Sequence, residues 1–298
     1  MRFSTGVVAA VLAALPLAAA WPADLTRSAT GFCQSDPSPE LLAMHNNIVS
    51  GDQATLDLIA QGEAIIQEAL AKSESGLYAR HATGMTVTKR ENGASLITLD
   101  AWFHVVYSSE TAKGGYLTDK NIQDQLKALN KAFEPSNLAF RLVNTTYTEN
   151  ETWASSSSKN MEIIAKMKRK LHQGNASTFN LYLLPGFGTG GYCTFPDEID
   201  PEVPDTLLQD GCLVGSFTLP GNDNVFNMAL TAVHEAGHWL GLLHTFTDGC
   251  DDSRPGDYID DTPYEKTANY GECPANRDTC PDLPGLDPID NYMDYSSE

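Results

Sequence analysis

Residues 231–246, TAVHEAGHWLGLLHTF, place three histidines and one glutamate inside a stretch that is otherwise mainly apolar. An imidazole or a carboxylate is costly to bury unless it is hydrogen-bonded, paired or bound to an ion. His234 and His238 are four residues apart, which on a helix is a separation of about 40° and about 6 Å, so both rings lie on one face. The spacing therefore predicts a helix that carries two ligands of one metal ion.

His244 does not fit a continuation of that helix. Six further helical residues would rotate its side chain by about 240° and move it about 9 Å along the axis. Gly241 lies between the two histidines, and glycine readily adopts the left-handed backbone conformation that ends helices. We therefore expect the helix to end near Gly241, the chain to turn back, and His244 to become a third ligand.

The expected ligand set indicates the chemistry. Three neutral imidazoles leave one position of a tetrahedral zinc ion open for water, which is typical of catalytic zinc sites. Such an ion lowers the pKa of the water toward 7 and polarises a substrate carbonyl. Glu235 lies about 100° from His234 around the helix, beside the ligand pair. We expect one zinc ion per chain, with Glu235 assisting the attack of a zinc-bound water on a peptide bond.

The N-terminus and the cysteines indicate export. Arg2 precedes an apolar run that ends in alanines, which is the pattern of a secretory signal peptide cleaved after Ala20. Six cysteines fit an oxidising compartment. Glycosylation sequons begin at Asn144, Asn150 and Asn175. The sequence therefore predicts a secreted glycoprotein with disulfide bonds.

The charge limits the partners. A net charge of −20 argues against binding to nucleic acid. Residues 248–298 contain fourteen acidic and three basic side chains, which indicates either a solvated acidic surface or a structural calcium site. After the signal peptide, no apolar run is long enough to cross a membrane. We expect a monomer that acts on protein or peptide substrates and has neither a nucleic acid nor a membrane as a partner.

Two regions follow the signal peptide. Residues 21–95 carry no catalytic motif and have helical apolar spacing, so they are either a pro-segment or a helical N-terminal addition. From residue 96, strand patterns (95–107, 138–148, 178–187 and 212–221) alternate with amphipathic helices near 122–133 and 163–171. The Gly-rich stretch 185–193 predicts a turn and an edge strand. Beyond Gly249 turn-forming residues dominate, so the predicted fold class is α+β with an irregular C-terminal part.

The motif HEAGHWLGLLH at 234–244 resembles the extended zinc signature of the metzincin peptidases. DNYMDY at 290–295 is similar to their methionine turn, with Met293 as its methionine. GLLHTF, DTP and LDPIDNYMDY further resemble the pappalysin branch, in particular secreted fungal and bacterial enzymes of the cytophagalysin type. The resemblance covers about residues 96–298. It implies a mixed twisted sheet, two long helices of which the second bears the zinc motif, and subdomains spanning 96–241 and 242–298.

The resemblance also assigns roles to individual residues. It implies a secreted zinc endopeptidase in which His234, His238 and His244 bind zinc, Glu235 is the base, and Tyr295 stabilises the oxyanion. Metzincins usually continue past the methionine turn into a C-terminal helix, whereas this sequence stops five residues after the methionine. The alternative is a catalytically impaired, zinc-binding secreted protein.

The cysteines do not all find partners. The resemblance pairs Cys250 with Cys280, and local hairpin logic pairs Cys193 with Cys212. Cys33 and Cys273 then remain, and the partner of Cys273 is either absent with the C-terminal tail that similar proteins have or left open. Cys33 lies in the suspected pro-segment. It either binds the zinc and keeps the enzyme latent, forms an ordinary disulfide, or remains a free thiol.

Two further sets of side chains have weaker patterns. Acidic residues of the C-terminal part are candidate ligands of a structural calcium ion, as in similar enzymes: Asp248, Asp251, Asp252 and Asp261. The remaining histidines lie outside any ligand spacing, and we expect surface or core positions for them: His45, His81, His104 and His172.

Overall fold

The computed structural model describes residues 85–89, 95–188, 190–196, 203–221, 229–254, 256–270 and 274–296, together with the single helical positions Pro39, Leu42, Ala43 and Gln53. The predicted signal peptide, most of the predicted helical N-terminal region, Cys33 and Cys273 lie outside the described residues. The boundary at residue 96 therefore stays a prediction.

Six strands form one mixed sheet: β1 (Met85–Lys89), β2 (Ser95–Tyr107), β3 (Leu138–Glu149), β4 (Phe179–Leu184), β5 (Gly191–Cys193) and β6 (Cys212–Gly215). β3 pairs in parallel with one edge of β2, and antiparallel β1 and parallel β4 share the other edge. β6 is parallel to β4, and β5 pairs antiparallel with β6 at the end of the strand order.

In the described part of the chain from residue 85, five α-helices accompany the sheet: α1 (Asp119–Phe133), α2 (Glu151–Ala154), α3 (Met161–Leu171), α4 (Pro204–Leu208) and α5 (Leu230–Trp239). Helix α1 begins with a capping box, in which the side chains of Thr118 and Asn121 each accept from the other residue's backbone N–H. Such a cap stabilises a helix by about 1 kcal/mol. Ile122, Leu129 and Phe133 lie on its buried face, as their spacing predicts.

The two faces of the sheet pack against different helices. Successive residues of a strand point to opposite faces. Leu181 and Leu183 of β4 belong to the main core, which also contains apolar residues of α1 and α5. Tyr182 and Leu184 pack in a second cluster with residues of α2 and α3. The sheet is therefore covered on both faces, and α5 lies on the face that it shares with α1.

The predicted α+β fold class is confirmed. The strands predicted at 95–107 and 138–148 are β2 and β3, and the predicted helices are α1 and α3. Strand β1 was not predicted, because the region 21–95 was expected to be helical from the apolar spacing of residues 38–73, and β1 lies after them. Beyond Trp239 the described residues form turns and irregular segments, with no further helix. No described helix is both long enough and apolar enough to cross a bilayer.

Candidate metal centre

Helix α5 ends in a backbone motif that reverses the chain. The Gly241 N–H donates to the His238 carbonyl at 2.8 Å, and the Leu242 N–H donates to the Gly237 carbonyl at 2.9 Å, which is the hydrogen-bond pattern of a Schellman motif. Gly241 has a φ of +89°, a value that strains residues with a Cβ. The chain therefore turns at Gly241 and runs back along the end of the helix toward His244.

This turn brings three imidazoles to one point. Nε2 of His238 lies 3.1 Å from Nε2 of His234 and 3.0 Å from Nε2 of His244. Nitrogens bound to one tetrahedral zinc ion lie about 3.3 Å from one another, so the separations fit a shared ion. Among the described residues, no other group of three or more histidine, cysteine or carboxylate ligands comes together in this way.

The other ring nitrogens fix the orientation of two of these imidazoles. Nδ1 of His234 lies 2.7 Å from the Tyr292 carbonyl, and Nδ1 of His238 lies 2.8 Å from the Leu242 carbonyl. A carbonyl only accepts hydrogen bonds, so in each ring Nδ1 carries the proton and Nε2 presents a lone pair. Lone pairs that converge in a buried site repel one another unless a cation lies between them, and zinc suits this donor set.

Burial keeps these histidines neutral. It lowers the pKa of His234 from 6.5 to about 4 and holds the pKa of His238 and His244 well below 6.5. The neighbouring imidazoles lower the pKa of His238 and His244 further. Metal ligands must be deprotonated, and these three are in the form that binds a metal at neutral pH.

The segment around Met293 contacts the three-histidine cluster and the chain next to it. Met293 is buried in the main core, and its carbonyl accepts a hydrogen bond of 3.3 Å from the Thr245 N–H. The Tyr295 hydroxyl lies 3.2 Å from Nε2 of His244. The structure therefore brings the segment that contains Met293 and Tyr295 to the histidine cluster.

Comparisons with known proteins identify the family. The sequence profile of the Peptidase_M43 family, described as pregnancy-associated plasma protein-A, matches residues 189–298. An extracellular metalloprotease of Colletotrichum graminicola is 45% identical over 205 residues, which cover 68% of this chain and 70% of that protein. One of Podospora anserina is 38% identical over 298 residues, which cover 99% and 90% of the two chains.

The chain belongs to the pappalysin branch of the metzincin peptidases. It is a zinc metalloendopeptidase. Solved pappalysin structures share its fold. Mature mirolysin of Tannerella forsythia, in complex with a cleaved peptide, is 26% identical, with a TM-score of 0.55 over 69% of this chain and 86% of that one. A promirolysin mutant matches with a TM-score of 0.57 at 22% identity, over 89% and 87% of the chains.

One residue of this pappalysin site was missed from the sequence. Gly191 of β5 lies directly against the carboxylate of Glu235, and a Cβ at this position would overlap the carboxylate oxygen. Glu235 itself is fully buried. The Gly-rich stretch was assigned to a turn and an edge strand, and the strand is indeed β5, but sequence spacing alone does not show which side chain a glycine faces.

The buried carboxylate of Asp210 anchors helix α5, which carries the zinc motif, at its C-terminal end. Both oxygens of Asp210 lie 3.1 Å from the Trp239 indole N–H, and the Thr194 hydroxyl donates to Asp210 at 2.7 Å. Trp239 also packs edge-on against Phe179 of β4. These contacts fix the rotation of α5 against the sheet. Sequence reasoning missed them, because Asp210 lies in a short loop with no recognisable motif.

Aromatic rings line one side of the centre. Phe246 stacks on His244 with ring centroids 4.7 Å apart, and Tyr295 packs edge-on against the same imidazole at 5.0 Å. Tyr270 lies 5.5 Å from Tyr295 and is 64% exposed. The pappalysin site is therefore bordered here by an aromatic rim that reaches the solvent.

The remaining predicted residues lie elsewhere. The structure contains disulfide bonds between Cys193 and Cys212 and between Cys250 and Cys280. His104 and His172 are buried on the opposite side of the sheet, near Tyr182, and take no part in the histidine cluster. His45 and His81 lie outside the described residues.

Proposed function

We propose that this extracellular pappalysin hydrolyses peptide bonds of secreted or environmental proteins, with Glu235 as the general base and Tyr295 as the oxyanion-stabilising residue. The observation that supports this most strongly is the convergence of three Nε2 atoms, with that of His238 lying 3.1 Å from that of His234 and 3.0 Å from that of His244. Zinc bound there supplies a water of lowered pKa and polarises the carbonyl of the scissile bond.

Glu235 moves the protons. Its buried carboxylate is next to the zinc ligand His234 on the same helix, and Gly191 leaves it room against β5. It accepts a proton from the attacking water and returns that proton to the amine nitrogen of the leaving group. No covalent bond to the protein forms, so no serine or cysteine nucleophile is required.

Tyr295 acts on the developing negative charge. Its hydroxyl is 3.2 Å from Nε2 of His244, which is close enough to the histidine cluster to donate to the carbonyl oxygen of a bound peptide. Donors directed at this oxygen stabilise the transition state more than the substrate. The hydroxyl hydrogen bond therefore contributes to turnover more than to substrate binding.

Two variants test these roles. Glu235→Gln keeps the size of the side chain but removes the base, and a general base contributes about 10²–10⁴-fold to the rate. We expect it to bind zinc normally and to cleave casein and a quenched fluorescent peptide at least 100-fold more slowly. Tyr295→Phe should lower kcat with little change in KM. Wild-type cleavage that survives a strong chelator, or full activity of Glu235→Gln, would contradict the mechanism.

The same experiment addresses the alternative. A wild-type protein that contains one zinc ion per chain but cleaves no member of a broad peptide library would be a catalytically impaired zinc-binding protein. Restoration of cleavage by zinc after chelation would support the peptidase. A latent form, in which Cys33 of a pro-segment binds the zinc, predicts that mild proteolysis or a thiol reagent increases the activity.

Secretion and glycosylation belong to the same proposal. Relatives are named extracellular metalloproteases, and two disulfides fit an oxidising compartment. Of the three sequon asparagines, Asn144 is exposed on β3, whereas the side chains of Asn150 and Asn175 accept hydrogen bonds from nearby backbone N–H groups. We expect a glycan at each, and a glycosidase digest followed by mass spectrometry measures their occupancy.

A structural calcium ion remains part of the proposal. Asp248 and Asp251 already contact Arg254, at 2.7 and 3.6 Å, and with Asp252 and Asp261 they form no cluster of three ligand atoms in the described region. A calcium-selective chelator that lowers the melting temperature without removing zinc would support such an ion. An unchanged melting temperature would exclude it.

A further inference from the structure

Four side chains form a buried polar cluster outside the metal centre: Thr245, Glu265, Arg277 and Asp287. We refer to these residues as the Arg277 cluster. Glu265 has no exposed surface, and the guanidinium of Arg277 forms ion pairs with both Glu265 and Asp287. A buried charge that loses its partner is strongly destabilising. Such a cluster therefore fixes the segments that carry it in one relative position.

One side of the Arg277 cluster is connected through Thr245 to His244, the third histidine of the metal centre. The Thr245 hydroxyl donates to Oε2 of Glu265 at 2.7 Å, and Thr245 directly follows His244 in the chain. The Thr245 N–H also donates to the Met293 carbonyl at 3.3 Å. The backbone that carries His244 is thus held from two directions, by Glu265 through a side chain and by Met293 through the main chain.

The other side of the Arg277 cluster is connected through hydrogen bonds to the methionine turn around Met293. Arg277 donates to the carbonyls of Thr267 and Ala268, at 2.8 and 3.3 Å. The next residue, Asn269, donates its N–H to Asp294 at 3.0 Å, and Asp294 lies between Met293 and Tyr295. The segment 265–269 therefore joins the cluster to both sides of the centre.

Regular secondary structure does not support these segments. The described residues beyond α5 contain no further helix, and among them the Cys250–Cys280 disulfide is the covalent cross-link. In a region of this kind, side-chain hydrogen bonds and ion pairs set the relative position of the loops. Residues behind the ligands of a metal commonly control its affinity through such contacts.

We propose that Arg277 and Glu265 are positioning residues that set zinc affinity and turnover by fixing His244 and the methionine turn relative to each other. Neither residue contacts the histidine cluster directly. They act through Thr245 on one side and through Asn269 and Asp294 on the other. The inference rests on the proposed zinc peptidase function.

The test compares Arg277→Lys, Thr245→Val and Thr245→Ser in the full chain. Lysine keeps the charge but loses the fork that reaches Glu265, Asp287 and the two carbonyls. Valine has the shape of threonine without its hydroxyl, and serine keeps the hydroxyl. The control is Arg254→Ala, because Arg254 is an arginine of the same region whose ion pairs are exposed.

The readouts are zinc affinity, from competition with a chromophoric chelator, together with kcat, KM and the melting temperature. We expect Arg277→Lys and Thr245→Val to weaken zinc binding about 10-fold, as is typical for residues behind metal ligands, and to lower kcat with KM nearly unchanged. Thr245→Ser and Arg254→Ala should match the wild type. If Arg277→Lys does not fold, Thr245→Val decides the result.

Two outcomes would overturn the inference in different ways. If the wild type binds zinc and cleaves peptides, while Thr245→Val lowers only the melting temperature and leaves zinc affinity and kcat within twofold, the cluster serves stability alone. If the wild type binds no zinc and cleaves nothing, the proposed function fails and this inference fails with it.

Discussion

The carbonyl oxygen of Leu242 lies 2.8 Å from Nδ1 of His238. The same turn that directs the chain toward His244 therefore also orients the histidine that precedes it. Gly241 makes both contacts available, because its positive φ turns the Leu242 carbonyl back toward the helix. One glycine thus influences two of the three imidazoles.

This relationship predicts the effect of Gly241→Ala. A Cβ in the left-handed conformation costs about 1–2 kcal/mol, and relief of that strain would move both the Leu242 carbonyl and His244. We expect zinc affinity to fall at least tenfold, measured by chelator competition. The matched control is Gly249→Ala, which has a φ of +62° and no tight contact. If both variants lower stability but retain wild-type zinc affinity, the turn does not position the ligands.

The substitution Gly191→Ala should impair the general base Glu235 without changing zinc binding. The added methyl group would overlap the Glu235 carboxylate and force it to move. We expect kcat to fall by about two orders of magnitude, toward the lower limit of what a general base contributes, while zinc content stays at the wild-type level. Gly188→Ala, in the loop that precedes β5, is the control, because no atom lies within 4 Å of a Cβ there. Equal activities of the two variants would contradict the contact.

His104 predicts a pH dependence of stability. Burial lowers its pKa to about 4, opposed by the hydrogen bond that its Nε2–H donates to Asn180, and the nearby His172 lowers the pKa slightly further. Between pH 6.5 and 4 the unfolded chain takes up a proton on this imidazole that the folded protein does not, so its contribution to stability is lost as the pH falls. From pH 7 to 5 this loss is about 2 kcal/mol.

The measurement is urea unfolding of chelator-treated wild type and His104→Phe at pH 7 and pH 5. Both proteins share every other titrating group, including the three site histidines, so the difference between their unfolding free energies reports on His104 and on its interaction with His172. His104→Phe should have a lower free energy of unfolding than the wild type at pH 7, and the difference between the two free energies should be smaller at pH 5. Parallel free energies at the two pH values would show that the imidazole is not kept neutral by burial.

The Cys250–Cys280 bond predicts local protection from proteolysis. It closes a separation of 30 residues, for which the chain-entropy estimate of stabilisation is about 3–4 kcal/mol. In an inactive Glu235→Gln background, replacing both cysteines by serine should increase trypsin cleavage after Lys266 and Arg277. Replacing Cys193 and Cys212, which lie opposite each other in the paired strands β5 and β6, is the comparison. Equal cleavage in the two variants would argue against this role of the bond.

Much of the geometry of the metal centre could be predicted from the spacing of its residues in the sequence. Helical geometry places His234 and His238 on one face of a helix. The φ preference of glycine predicts that this helix ends near Gly241, so that His244 can turn back toward the other two imidazoles. The contacts of Gly191 and Asp210 could not be predicted, because they depend on which loop the sheet brings against α5. Arg277 was missed for a related reason: its partners Thr245, Glu265 and Asp287 are distant in the sequence and share no periodic pattern.

The N-terminal strand shows the same limit. β1 has only five residues, whose alternation of apolar and polar side chains is too short to stand out in the sequence, and its place in the sheet depends on pairing with β2. Propensity alone does not predict a strand whose stability comes from its neighbour.

Zinc content of the purified wild type and of His244→Ala, measured by mass spectrometry after dialysis against a weak chelator, tests the central claim most directly. If three imidazoles bind one ion, the wild type retains one zinc per chain and the variant, with only two ligands left, loses it. A wild type without zinc, or a His244→Ala protein that retains zinc equally well, would contradict the account.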